Sequence, residues 1–222
     1  MRVPNGFYTD GQGRVRPING KKGRGGFVAA AGATALAVTA VTGGGGATGG
    51  VSSVAGEQVT ARVGSAKQAA RDGRSDKAWQ RMRLRVREQR SPDHRLDCIV
   101  HSFGQVQEFF VGHRCRSLTR TVIPLADEQG GTAVVSVAWV RTGSTRDARA
   151  LNRLDRRDGT GDIRALGSSV LAARGVSFTG EHYESTAKGT LFVRAEAAPM
   201  SGNLPPALLD GMAEVAVLLP RP

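Results

Sequence analysis

The sequence predicts an α+β protein: one mixed, mainly antiparallel sheet with helices on one face, in the order β-α-β-β-α-β-β-α. A single N-terminal transmembrane or signal segment precedes it. Three observations carry that expectation. The net charge of +12 on 222 residues is confined to the flanks, and residues 96–222 are close to neutral. Fifteen of the 30 glycines fall in the first 56 residues, where large apolar side chains are few. Beyond Pro92 the apolar positions switch repeatedly between strand and helix periods, over a length able to build one core.

From the N-terminus, residues 1–26 hold six cations, one anion and many glycines. Such a segment cannot bury enough surface to offset its ordering entropy, so a disordered basic tail is expected. Residues 27–56 carry no charge. Their apolar part, FVAAAGATALAVTAV, directly follows Lys21, Lys22 and Arg24. A membrane helix wants about 20 apolar residues and a signal core about 7–15. The leading expectation is an anchor or signal over 27–56, with membrane contact through 27–51. The excess of cations before it puts the tail inside and the rest outside, as a single-pass protein of the cell membrane. Two other readings stand: secretion after signal cleavage, since Val38-Thr39-Ala40 and Ser53-Val54-Ala55 resemble cleavage sites, and a Gly/Ala-rich cytosolic linker.

Residues 57–92 read as a basic juxtamembrane stalk. In KAWQRMRLRVREQR, Arg81, Arg83, Arg85 and Arg87 alternate with Met82, Leu84 and Val86. Alternation suggests a strand, whereas the residue propensities favour a helix. Arginines beside Trp79 suit an anionic lipid or wall polymer, or nucleic acid; a solvated stalk docking its few apolar residues is the plainer reading. Ser91-Pro92 marks the boundary of the domain over 93–222.

Within that domain, 96–101 reads as a strand. Ser102 and Gln105 have capping-box spacing, which starts a helix to about Val111, stopped by Gly112. Residues 114–125 are extended, 127–131 turn, and TAVVSVAWV is the clearest strand. Ser144 or Thr145 caps a second helix with Ala148, Leu151 and Leu154 inward. Strand-like runs at 176–183 and 190–197 and a closing helix over 205–219 complete the order. The first six elements follow a ferredoxin-like order.

Cys98 and Cys115 are expected as a disulfide, because an extended lead-in, a returning helix and a new strand bring them to one end. With His101 and His113 they also form a zinc inventory, but the His-x-Cys spacing is too tight for an easy chelate. Asp158, Thr160 and Asp162 match the first alternating positions of a calcium loop, which fails at Ile163 and Ser169. The pentapeptide G-x-S-x-G is absent. Polar residues near element ends make His101, Gln105, His182 and Tyr183 the candidate pocket; Arg81, Arg83, Arg85 and Arg87 are the candidate anionic-surface contact. No metal, cofactor or catalytic residue is expected.

The segments CIVHSFGQVQEFF, CRSL, VVSVAWV, DGTGDI, FTGEHYES and AEVAVLLP, in this order, resemble a group of uncharacterised actinobacterial membrane-anchored proteins over roughly 75–222. The resemblance implies an anchored extracytoplasmic α+β domain and brings no activity with it. The function expected is a non-enzymatic, membrane-anchored envelope module binding an unknown envelope protein, polymer or small ligand. The alternatives are an envelope hydrolase using the His101/His182 region and a cytosolic nucleic-acid binder acting through 62–95, against which the near-neutral domain argues.

Overall fold

The computed structural model of the chain describes residues 7–9, 15–17, 50–87, 92–95 and 97–222. Phe7–Thr9 (β1) and Val15–Pro17 (β2) pair antiparallel, with Phe7 opposite Pro17. They fall within the tail expected over 1–26, where β-forming residues flank an Asp-Gly segment. The anchor or signal segment lies mostly outside the described residues. Among the described residues no helix is long and apolar enough to cross a membrane.

Gly50–Arg71 (α1) and Ser75–Arg81 (α2) form a helical hairpin through Gly73, at φ 75°. Val63, Ala66 and Ala70 recur at helical spacing and are buried with Ala69; Ala78, Trp79, Met82 and Leu84 follow them into the same core. The apolar residues of 57–92 thus pack into the domain core, as the docking reading of the stalk has it. The conflict between helix and strand within 77–90 also resolves. Helix α2 ends at Arg81, Arg83 turns the chain at φ 59°, and Arg85–Val86 (β3) pairs with the sheet.

Asp93–Arg95 (β4) is the next strand, and Cys98–Val100 is a turn, so the strand expected at 96–101 lies earlier. Ser102–Phe103 (β5) leads into Gly104–Gly112 (α3). Ser102 is not the helix cap. It is buried, and its Oγ donates to the Cys98 carbonyl at 2.7 Å, which leaves Phe103 at the N-cap without a side-chain bond.

Cys115–Ala126 (β6) and Thr132–Thr142 (β7) form the long central hairpin. Thr145–Asp155 (α4) starts as expected, with Ser144 Oγ accepting from Asp147 N at 3.1 Å and Ala148, Leu151 and Leu154 buried. Gly161–Ile163 (β8) pairs with β5, and the backbones meet closely: a Cβ on Gly104 would lie 2.9 Å from Gly161 Cα. Ser168–Ala173 (α5) follows. Residues 176–182, expected as a strand, are loop; Tyr183–Lys188 (β9) and Leu191–Ser201 (β10) then pair, and Pro206–Ala216 (α6) closes the chain.

The main sheet runs β3-β6-β7-β10-β9, with β4 also on β6, and every pairing is antiparallel. A ferredoxin-like order is thus corrected, as is the mixed sheet. Helices cover both faces rather than one. α1, α2 and α6 close over Val135, Val137, Trp139, Val193 and Ala195. Gly211 of α6 permits the close approach, since a Cβ there would meet Val63 Cγ2 at 2.4 Å. On the other face α3 and α4 pack with Leu118, Ala138, Val140 and Phe192. β9 is the outer strand. Ser185 turns its backbone outward, where Arg156 Nη2 donates to its carbonyl at 2.5 Å and Glu184 Oε1 accepts from its N–H at 2.9 Å.

Candidate functional site

The α3 unit is stapled to the sheet. Cys98, buried in the turn before β5, is disulfide-bonded to Cys115 at the start of β6, with Cα atoms 6.2 Å apart. The returning helix brings the pair together as expected. Around this staple the surface is unusually apolar: Ile99, Val100 and Val111 are 39%, 59% and 74% exposed. Contiguous exposed apolar surface marks interaction sites more often than scattered single residues do.

Two open grooves flank α3. One, of about 530 Å³, is lined by Asp97, Ile99, Phe110, Val111 and Arg114 beside the disulfide. The other, of about 790 Å³, lies between α3 and α4 and is lined by Gln105, Glu108, Phe109, Ala150, Arg153, Leu154 and Arg157. His113 borders both. Its ring stacks on Phe109 with centroids 3.9 Å apart, Nδ1 donates to the Phe109 carbonyl at 2.9 Å, and Nε2 lies 4.0 Å from Asp147 Oδ1. The ring is held as a wall of the groove.

The densest electrostatics lie deeper. Arg194 on β10 is surrounded by three carboxylates: Asp162 on β8 in contact with Nη1, Glu196 Oε2 at 3.3 Å from Nη2, and Asp155 Oδ1 at 3.4 Å from Nε. Glu196 Oε1 accepts from Gly180 N at 2.5 Å. The Tyr183 hydroxyl donates to Asp155 Oδ2 at 2.8 Å, and its ring lies 5.3 Å from the guanidinium carbon. One cation among three carboxylates leaves an excess of negative charge that a buried site resists by binding protons. Burial pushes the Asp162 carboxyl up to about 8; Arg194 opposes this, and Asp155 and Glu196 add to it. Burial likewise raises Glu196. Tyr183 is raised by burial and then by Asp155. For Arg194, burial disfavours the cation, but Asp162, Asp155 and Glu196 outweigh it and hold the guanidinium charged. These groups bind one another. They tie the end of α4, β8 and the 176–182 loop to the central sheet.

The expected pocket residues do not converge. Gln105 lies on the α3–α4 groove. His101 is half-buried in the turn before β5, its carbonyl accepting from Arg164 N at 2.7 Å. His182 Nδ1 lies 2.9 Å from Asp210 Oδ1 on α6, across the sheet from His101. Tyr183, one residue on, points to the opposite face and joins the Arg194 cluster, as strand alternation requires. Of the expected anionic-surface arginines, Arg81 Nη1 donates to the Ser65 carbonyl at 2.5 Å and Arg83 lies 3.8 Å from Glu128, while Arg85 and Arg87 are exposed. The failed calcium loop is a helix end: Thr160 Oγ1 donates to the carbonyls of Leu154 and Arg157, both at 2.9 Å. Among the described residues no group of three His, Cys, Asp or Glu side chains is arranged to hold a metal.

Arg194 and Glu196 escaped the sequence reading. Their signal was two charges at alternate positions inside the apolar run LFVRAEAA, which places both on one face of a buried strand. No family model matches the chain, and neither a curated protein nor a solved structure matches it.

Proposed function

We propose that the protein is a non-enzymatic binding module of the cell envelope, anchored through 27–51 and holding an envelope protein on its α3 face. The disulfide between Cys98 and Cys115 carries the reading, because such bonds persist outside the reducing cytoplasm. The uncharged segment over 27–56, which runs into the start of α1, and the resemblance to membrane-anchored proteins support the same location. A binding role fits the chemistry on the surface. The strongly perturbed titratable groups are engaged with one another around Arg194, whereas the open grooves are walled by apolar side chains, arginines and a stacked histidine. The test is thiol labelling of the full chain in intact cells with a membrane-impermeant maleimide. Labelling from outside, and only after reduction, is the expected result. Cysteines that react without a reductant, and only after the cells are opened, would refute the envelope location.

A further inference from the structure

We infer that the groove between α3 and α4, with the arginine row beside it, is a docking site for an acidic, amphipathic segment of the partner protein; this rests on the binding-module reading and gives the partner its chemistry. Arg146, Arg149, Arg153 and Arg157 follow at spacings of three and four, so they line one side of α4 and its end over about 16 Å. All four are exposed, and among the described residues none of their side chains is hydrogen-bonded or ion-paired.

Helix electrostatics does not account for the row. Cations favour the last turn of a helix, which suits Arg153, but Arg146 stands in the first turn, where a cation is disfavoured. Like charges one turn apart also repel. The acids of α4 itself are placed elsewhere: Asp147 lies 4.0 Å from His113, and Asp155 is in the Arg194 cluster. The row thus carries a cost within the monomer that an external anion relieves.

The neighbouring groove decides between anions. Phe109, Ala150 and Leu154 give it an apolar floor, and Glu108 stands among its lining residues. A polyphosphate would neutralise the arginines, leave the floor unfilled and bring its charge towards Glu108. A polypeptide with carboxylates along one side and a Leu or Phe beside them satisfies both features. Carboxylates accept the guanidinium fork in bidentate pairs, and an apolar side chain anchors in the groove.

The experiment uses the full chain in detergent micelles and a fluorescent synthetic Glu/Leu peptide with an amphipathic helical repeat. Binding is expected, weakening as salt rises. The triple variant Arg146→Gln/Arg149→Gln/Arg153→Gln is expected to weaken it by about tenfold with an unchanged circular dichroism spectrum, and a Glu/Ser peptide is expected to bind less well than Glu/Leu. Three outcomes overturn the inference: no binding, binding indifferent to the triple variant, or inorganic polyphosphate competing as well as the unlabelled peptide, which would make the row a plain polyanion surface. The thiol-labelling result is read separately. An external domain blind to the peptide refutes this inference alone, and an internal domain that binds it refutes the envelope location alone.

Discussion

One face of the main sheet is closed by α1, α2 and α6 through Val, Ala, Leu, Met and Trp side chains. The other face carries, across neighbouring strands, the register Arg120–Ala138–Arg194–Ser185. Ala138 leaves room between the two arginines. Arg120 pairs with Asp93 at 2.6 Å and donates to the Arg164 carbonyl at 3.0 Å, while Arg194 pairs with Asp155, Asp162 and Glu196. The apolar face is held by a non-directional force that grows with buried area. The charged face adds to its own apolar cluster directed bonds whose strength depends on which groups carry protons. Two layers of one domain should therefore fail in different ways.

The largest effect is expected from cutting the chain at residue 93. This removes α1, α2 and β3 and bares the Val137 and Trp139 side of the sheet. A scanning calorimetry trace without a cooperative transition is expected; a sharp melt would restore 57–92 to the status of a stalk. Next is Arg194→Met, which leaves three carboxylates without their cation and should cost about 3–5 kcal/mol in urea unfolding. The loss is expected to be smaller at pH 5 than at pH 8, because the carboxylates then take up protons instead. Leu84→Ala, on the apolar face, should cost about 3 kcal/mol, and by the same amount at both pH values. Equal pH dependence of the two variants would erase the distinction between the faces.

The remaining effect belongs to Asp162 and is read against pH. Its carboxyl titrates at about 8 in the fold and at about 3.9 in an unfolded chain. Between those values the folded state holds a proton that the unfolded state has lost, so its contribution is full below pH 4 and declines as pH rises through 8. Urea midpoints are expected to fall across that window, and Asp162→Asn to flatten the slope. A midpoint that rises with pH in the native chain would contradict the charge arrangement.

The sequence disclosed what depends on near neighbours. Ser144 and the Ala148, Leu151, Leu154 row lie within one helix and were legible. Ser102 had the same capping signature and misled, because the buried hydroxyl bonds the Cys98 carbonyl behind it. The alternation after Arg81 carried two meanings in seven residues: an ending helix and a beginning strand. The partners of Arg194 stand 39 and 32 positions earlier, at Asp155 and Asp162, a separation that no periodicity reports. The arginine row of α4 was present in the sequence but gained meaning only once Phe109 and Glu108 were set against it from another helix.

The outermost strand, β9, has a further consequence. A strand with a vacant side is a template on which another molecule can continue the ladder, and crowded or freshly made chains are most exposed to that hazard. Alternate residues turn outward, and at the middle of the strand growth needs the amide and carbonyl of Ser185. Both are already taken by the side chains of Glu184 and Arg156, which also bond each other at 2.6 Å. An arriving strand must break this clasp before it can pair along the middle of β9. The clasp raises the cost of continuing the sheet past β9.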